Sequence, residues 1–252
     1  MLPELDVGPV ELKTFGICLA AAFLASAAIV GRRYRELGKP YDWAYEMMFA
    51  ALVGGLIGGR IHYVIENYDT EKDDLLGSIF SGSGLVWFGG LVGGAVGVML
   101  WARRRGFLEP RMFDVAAPAL ALGYAIGRVG CQLSGDGDYG TATDAPWGMA
   151  YPDGTEPTNK EVQPTPVFET VAMGLVALVL WNLRDRVRPG ALFAIYLVLA
   201  GIERLLIEFI RRNDAVLAGL TEAQLFSLAM IAGGAALLTR LRGAPARPAP
   251  AA

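Results

Sequence analysis

Seven apolar runs of about 20 residues, separated by short charged or polar segments, constrain this chain more than any other feature. An α-helix needs about 20 predominantly apolar residues to cross the hydrocarbon core of a bilayer, so each run predicts a transmembrane helix. The predicted spans are 12–30, 45–65, 84–101, 112–133, 167–183, 190–210 and 220–238. The sequence therefore predicts an all-α polytopic membrane protein with seven transmembrane helices.

Composition agrees with this fold class and excludes several others. Charged residues make up 19% of the chain, against about 25% in soluble domains, and the mean hydropathy is +0.40. We expect one transmembrane domain over residues 1–242 and a disordered Pro/Ala-rich tail over 243–252. No basic region precedes the first run, so no cleavable signal peptide is expected. Without zinc-type spacing or a nucleotide-binding glycine fingerprint, we expect no cofactor, no metal and no nucleic-acid partner.

The distribution of arginine predicts the orientation. Arginines follow the first, third, fifth and seventh runs, whereas the segments after the second and fourth runs are mostly acidic. Lys and Arg in loops stay on the cytoplasmic side. We therefore predict an external N-terminus, a cytoplasmic C-terminus and an external loop over 134–165, between the fourth and fifth helices. Arg211 and Arg212 follow the sixth run on the opposite side, and we predict a local role for them.

Three predicted spans carry an arginine late in an outward-running helix: Arg60, Arg128 and Arg204. Such a residue costs roughly 2.5–3.5 kcal/mol at the centre of a span and usually faces a cavity or a partner. With a rise of about 1.5 Å per residue, the three arginines and the Gly89-Gly90 pair fall at a similar depth near the external face. The sequence thus predicts one polar cavity that opens toward the outer surface.

The sixth span places Arg204, Glu208 and Arg211 on one helix face, because they are spaced i, i+4 and i+7. The neighbouring Glu203 is turned away by about 100°. An ion pair between Arg204 and Glu208 would lower the cost of burial. An anion site held in place by the glutamate is equally compatible with the spacing, since a guanidinium binds phosphate oxygens in a bidentate fork.

Other polar and small residues have simpler interpretations. Glycines repeat at helical spacing from Gly54 to Gly59 and from Gly89 to Gly97, which is typical of closely packed membrane helices. His62 points to the face opposite Arg60, and we expect it to pack at an interface. Asp136 and Asp138 suggest a calcium loop, but the downstream glutamate ligand is missing.

Together these motifs resemble the prolipoprotein diacylglyceryl transferase family of bacterial inner-membrane enzymes, over most of the chain and in the same order. The matching segments are GGRIHY at 58–63, SGLVWFGGLVG at 83–93, GRVG at 127–130, QPTPVFE at 163–169 and the R-x-x-x-E-x-x-R of residues 204–211. Some family residues are replaced. Phe88 stands in place of a histidine, Cys131 and Ser134 in place of asparagines, Asp136 in place of a glutamate, and Gln163 in place of a second histidine.

The resemblance implies transfer of a diacylglyceryl group from phosphatidylglycerol to the lipobox cysteine thiol in the signal peptide of a prolipoprotein. It implies a multi-pass location in the bacterial inner membrane, among membrane lipids. Arg128 and Arg204 would stabilise the departing phosphate, and Asp136 would be catalytic. The expected substrate-binding residues are Arg60, Gly89, Gly90, Ser134, Glu208 and Arg211.

Two points stay open from the sequence. The base that generates the thiolate, which is the nucleophile, could be Asp136, His62 or a group of the substrate's own environment. The alternatives to the transferase are a paralogue that uses an anionic lipid with another acceptor, and a lipid-binding or transport protein with a buried arginine site.

Overall fold

The computed structural model describes residues 1–7, 10–68 and 86–243, which form seven α-helices and four short β-strands. The helices are α1 Thr14–Glu36, α2 Trp43–Glu66, α3 Trp87–Arg104, α4 Pro110–Ser134, α5 Thr165–Leu183, α6 Ala191–Glu208 and α7 Glu222–Gly243. The strands are β1 Glu4–Val7, β2 Val10–Lys13, β3 Met149–Tyr151 and β4 Thr158–Val162. Each helix overlaps one predicted apolar run, with ends that differ by up to six residues. The start of the third run, the acidic residues 69–74, motif residues 83–85 and the tail beyond 243 lie outside the described residues.

Five helices, α1, α2, α4, α5 and α7, are long and apolar enough to cross a membrane. The prediction of a helical, polytopic membrane protein is therefore confirmed. The other two helices, α3 and α6, are 18 residues long. Helix α3 ends in Arg103 and Arg104, and α6 carries Glu203, Arg204 and Glu208.

The strands form two antiparallel hairpins that the predicted helix pattern did not include. In the first, Glu4 pairs with Lys13 and Val7 with Val10, so residues 10–13 are extended up to the start of α1 at Thr14. In the second, Met149 pairs with Val162 and Tyr151 with Thr158. The segment between α4 and α5 is therefore partly ordered by backbone pairing and is not a simple loop.

The chain divides into two compact units, residues 30–112 and the combination of 1–29 with 113–252. In the unit of residues 30–112, the glycine faces of α2 and α3 lie in direct contact. A Cβ atom on Gly93 would lie 2.8 Å from the Cα of Gly58, and one on Gly58 would lie 2.7 Å from the Cα of Gly93. The predicted packing role of these glycines is confirmed, since only glycine lets the backbones approach this closely.

In the unit that contains α4 to α7, small residues let three helices pack together. The buried cluster consists of Ala117, Ala121, Ala125, Met173, Ala177, Leu180, Leu192 and Ala200. Asp114 on α4 accepts hydrogen bonds from the backbone N–H groups of Gly190, at 2.6 Å, and Phe193, at 2.9 Å, at the start of α6. A carboxylate at a helix N-terminus satisfies free donors and favours the helix dipole, so Asp114 fixes α6 against α4.

The chain between α4 and α5 returns toward the end of α4. Gly135 and Gly137 have φ values of 60° and 89°, which L side chains rarely adopt, and they let the chain turn sharply around Asp136. The rings of Tyr139 and Tyr151 stack with centroids 4.8 Å apart. The backbone N–H of Gly140 donates to the carbonyl of Gln163 at 2.8 Å. These contacts hold Asp138 beside the last turns of α4.

Candidate active site

Glu169, in the second turn of α5, lies at the centre of the polar residues in this unit. Its side chain is fully buried. Arg128 Nε lies 3.1 Å from one carboxylate oxygen, and Arg204 Nη1 lies 3.5 Å from the other. Tyr124 donates its hydroxyl to the same carboxylate at 2.6 Å. One buried carboxylate therefore draws together an arginine from α4 and an arginine from α6.

Arg128 is held on several sides. Its guanidinium forms an ion pair with Asp138 and donates to the Tyr124 hydroxyl at 3.0 Å. The guanidinium carbon also lies 4.9 Å from the centroid of the Tyr124 ring. Its side chain is 14% exposed, so a small opening remains on a group whose direction is fixed.

Arg204 and Glu208 form the ion pair that their spacing predicted, with Arg204 Nη2 2.8 Å from the carboxylate. Glu208 also accepts hydrogen bonds from the Thr221 hydroxyl at 2.7 Å and from the Asn213 amide at 2.8 Å. The Arg204 Nη1 atom is buried and makes no hydrogen bond to any described residue. Its ion-pair contact is with Glu169 at 3.5 Å, so this nitrogen is oriented by charge and not by a hydrogen bond.

Arg211 completes the predicted face just beyond the end of α6. It forms an ion pair with Asp138 and donates to the Asp138 backbone carbonyl at 3.0 Å. Its nitrogens lie 4.0 Å from the carboxylates of Glu169 and Glu208. The predicted residues Arg128, Arg204, Glu208 and Arg211 are thus brought together in one place.

Asp138 bridges two of these arginines, Arg128 and Arg211. Burial by itself would raise the pKa of Asp138, but the charges of the two guanidinium groups outweigh it, so the pKa lies below its ordinary value. The carboxylate of Asp136, the residue predicted to be catalytic, accepts the backbone N–H of Asp138 at 3.3 Å. The structure places Asp138 against the arginines, with Asp136 supporting its backbone.

We call Arg128, Arg204, Arg211, Asp138, Glu169 and Glu208 the arginine–carboxylate cluster. Its three positive and three negative side chains balance. A buried charged side chain needs a partner of opposite charge, because an unpaired buried charge is very costly. An anion that enters this cluster must therefore displace a carboxylate from at least one guanidinium.

Two members of the cluster, Glu169 and Asp138, and the neighbouring Tyr124 are not among the site residues predicted from the sequence. Glu169 stood in the matched segment 163–169, and a carboxylate in an early turn of an apolar span is the signal that could have identified it. Asp138 was considered only for calcium. Tyr124 lies in the middle of α4 and belongs to no motif that would have distinguished it in the sequence.

Cys131 lies at the edge of the cluster. Its Sγ atom is 3.7 Å from both Arg128 Nη1 and an Asp138 oxygen. Ligand atoms of Cys131, Asp136 and Asp138 lie within 4.8 Å of one another, which is compact enough for a metal ion. The Asp138 carboxylate already binds two guanidinium groups, however, and a cation would have to replace both. The arrangement therefore fits anion chemistry better than metal binding.

The remaining predicted site residues have these positions. Ser134 is buried, and its hydroxyl donates to the backbone carbonyl of Gly130 at 2.8 Å. Arg60, Gly89 and Gly90 belong to the unit of residues 30–112. Arg60 is 7% exposed, with its guanidinium carbon 4.8 Å from the Tyr63 ring centroid. Gly89 faces α2, where a Cβ would meet Gly58 and His62. The substrate-binding roles of these residues stay predictions.

Comparison with known proteins places the chain in one family. The family model described as prolipoprotein diacylglyceryl transferase matches residues 4–240. A phosphatidylglycerol–prolipoprotein diacylglyceryl transferase of Dehalococcoides mccartyi is 32% identical over 90% of this chain and 88% of its own length. Relatives with the same name from Clostridium tetani and Vibrio vulnificus are 28% and 29% identical, over 80% and 92% of this chain and 81% and 88% of their own lengths. The chain belongs to the prolipoprotein diacylglyceryl transferase family.

Proposed function

We propose that this protein transfers the diacylglyceryl group of phosphatidylglycerol to the lipobox cysteine thiol of a prolipoprotein and releases glycerol phosphate. The relatives carry the name of this reaction. The single structural observation that supports it best is the convergence of Arg128 and Arg204 on the buried Glu169 carboxylate. This convergence presents two oriented guanidinium groups to a phosphate.

The reaction breaks the bond between a glyceryl carbon and the phosphate oxygen and forms a carbon–sulfur bond. Negative charge develops on the departing phosphate in the transition state. Guanidinium groups that are already oriented stabilise such charge without reorganising during the reaction. In this proposal Arg128 and Arg204 carry that role, and Glu169 and Glu208 are positioning residues that fix the direction of the two arginines.

In this proposal, the Asp138 carboxylate is the one that the phosphate displaces from Arg128. Its side chain is 33% exposed, whereas those of Glu169 and Glu208 are fully buried. It lies on a turn shaped by Gly135 and Gly137, whereas the two glutamates are on packed helices. The phosphate therefore replaces the Asp138 carboxylate on Arg128 at the lowest structural cost, and the charge balance of the cluster is preserved.

The thiol must lose its proton to become the nucleophile. Asp138 holds a proton poorly because two guanidinium groups stabilise its charged form. We therefore assign the proton acceptor to Asp136, whose carboxylate contacts a backbone N–H and no guanidinium among the described residues. The remaining assignments follow the sequence: Arg211 binds the phosphate with Arg128, and Arg60, Gly89, Gly90 and Ser134 bind the lipid headgroup.

The proposed setting is the bacterial inner membrane. Residues 1–242 form one transmembrane domain of seven spans, with the N-terminus outside, the C-terminus in the cytoplasm and residues 134–165 external. The arginines after the first, third, fifth and seventh spans support this orientation. It places the cluster toward the external leaflet, where a secreted precursor presents its lipobox.

The direct test is a reaction with purified protein in phosphatidylglycerol vesicles and a synthetic lipobox peptide. Mass spectrometry should show a peptide that gains one diacylglyceryl group, with glycerol phosphate released in equal amount. Vesicles of phosphatidylethanolamine alone, and a peptide with serine at the lipobox position, should give no product. Lipid consumption without peptide modification would favour the paralogue with another acceptor and overturn the proposal.

A further inference from the structure

A polar pocket of about 290 Å³ lies beside the arginine–carboxylate cluster, and of its lining residues only Arg211 has a role in the reaction as described above. It is lined by Gly137, Tyr139, Arg211, Arg212 and Asn213. Two of these are the arginines that break the charge rule for external segments. An arginine pair on the external side needs a local explanation, and the pocket provides one.

The guanidinium of Arg212 is held in place on this pocket. Its central carbon lies 4.4 Å from the centroid of the Tyr139 ring, and Nη2 donates to the Gly137 carbonyl at 3.0 Å. Tyr139 is fixed in turn, since it stacks on Tyr151 and donates its hydroxyl to the Glu156 carbonyl at 3.0 Å. A stacked, hydrogen-bonded arginine loses little entropy when it binds a ligand.

The charge of Arg212 is not balanced by a neighbour. Its contacts are with an aromatic ring and a neutral carbonyl, and no carboxylate of the described residues lies within ion-pair distance of it. Each arginine of the cluster, by contrast, is paired with a carboxylate. Arg212 can therefore bind an anion without giving up a carboxylate, which the arginines of the resting cluster cannot do.

Arg211 connects the two sites. It lines the pocket and lies 4.0 Å from Glu169 within the cluster. The lipid phosphate carries one negative charge as a diester, and the departing glycerol phosphate carries nearly two as a monoester with three free oxygens. The product therefore carries more negative charge than the phosphate of the lipid. This extra charge favours movement of glycerol phosphate from the cluster, where the arginines are paired with carboxylates, to Arg212, which has no such partner among the described residues.

We propose that this pocket binds the released phosphate monoester, glycerol phosphate, as a product site between the cluster and the exterior. The inference rests on the proposed function. A volume of about 290 Å³ lies just below the range of small-molecule sites, about 300 to 1,000 Å³, so it suits a polar three-carbon ester and is too small for two acyl chains. The fork of Arg212 binds two phosphate oxygens, and Asn213 and the Gly137 carbonyl face the glycerol hydroxyls.

Calorimetric titration of glycerol phosphate into the purified resting protein, without lipid or peptide, tests the site independently of turnover. Arg212→Gln should weaken the binding of glycerol phosphate about tenfold or more, as expected when a charge-assisted hydrogen bond is lost. The affinity of Arg212→Lys should lie between those of the parent and Arg212→Gln. Arg240→Gln, which removes an exposed arginine near the end of α7, is the matched control and should bind like the parent. Equal affinity of Arg212→Gln and the parent would overturn the proposal, even if the protein proves to be an active transferase.

Product inhibition distinguishes free glycerol phosphate from a lipid headgroup as the occupant. Inhibition by glycerol phosphate should persist at saturating phosphatidylglycerol, because the two ligands occupy different sites, and Arg212→Gln should relieve it. Inhibition that disappears completely as phosphatidylglycerol is raised would mean that the monoester binds only in the cluster. That result would overturn the product site and leave the proposed transferase function intact.

Discussion

The Nε atom of Arg128 on α4 lies 3.1 Å from the carboxylate of Glu169 on α5, and the Glu169 side chain has no exposed surface. The pairing fixes the direction of Arg128 and binds two helices together through opposite charges. A buried ion pair contributes little net stability when intact, but breaking it leaves an uncompensated charge. Glu169 should therefore matter for both folding and activity.

Glu169→Gln keeps the shape of the side chain and removes its charge. We expect the free energy of unfolding to fall by about 3 kcal/mol, because Arg128 and Arg204 lose their shared partner. We expect kcat/KM to fall by about a hundredfold, as small misplacements of catalytic groups can cost that much. Thermal unfolding in detergent and the peptide lipidation assay measure the two effects.

Glu161→Gln is the matched control, since Glu161 is an exposed residue of β4. It should leave both quantities near the parent values. A Glu169→Gln protein with unchanged melting temperature and turnover would show that the buried carboxylate does not hold the arginines in position.

Asp138 predicts a specific dependence of stability on pH. Its folded-state pKa is lowered by Arg128 and Arg211 in spite of burial, relative to about 3.9 in an unfolded chain. The ion pairs therefore stabilise the fold above about pH 4, and that contribution is lost as the pH falls through the lower folded-state value. The melting temperature of the parent should exceed that of Asp138→Asn near neutral pH, and the difference should narrow as the pH falls below about 4. A difference that stays constant as the pH falls would contradict the assignment.

Removing the charge of each glutamate of α6 should have different effects on the melting temperature. Glu208 binds Arg204, Thr221 and Asn213, so Glu208→Gln should lower the melting temperature. Glu203 is also buried, but its Oε1 atom makes no hydrogen bond with any described residue. Removing a poorly satisfied buried carboxyl costs little, so Glu203→Gln should be neutral or stabilising. The reverse order of melting temperatures would contradict the roles given to the two residues.

Gly93→Ala tests the close contact of α2 and α3. The new Cβ would lie 2.8 Å from the Cα and 3.0 Å from the N of Gly58, and backbone atoms cannot move away cheaply. We expect a loss of about 1–3 kcal/mol in stability, the usual effect of overpacking. Gly174→Ala on α5 is the control, because its Cβ would meet nothing within 4 Å, and it should not destabilise the protein. Equal melting temperatures for the two variants would show that the contact is looser than described.

The helices could be predicted because long apolar runs leave few alternatives in a membrane. The shared face of Arg204 and Glu208 followed from helical spacing alone, and the structure confirms it. The link between Arg128 and Glu169 could not be predicted in this way, since it depends on how α4 packs against α5 through the small residues Ala121 and Ala125. Spacing within one helix carries no information about contacts between helices.

The loop after α4 shows a second limit of sequence reasoning. Asp136 was selected because it stands at the position of a family glutamate, yet the structure places Asp138 on the arginines. The left-handed turns at Gly135 and Gly137 shape the chain so that the carboxylate on the arginines stands two positions further along. The β3–β4 hairpin was not predicted, because 149–151 is only three residues long and 158–162 is mostly polar.

The central claim is that Arg128 and Arg204 stabilise the departing phosphate of the lipid. The most direct measurement is the single-turnover rate of thioether formation for Arg128→Ala and Arg204→Ala in phosphatidylglycerol vesicles, with Arg240→Ala as the exposed control. Removing one preorganised donor to a developing charge should slow the step by about 10²–10³-fold, while the control stays near the parent rate. Rates for both Arg128→Ala and Arg204→Ala equal to that of the control would contradict the claim.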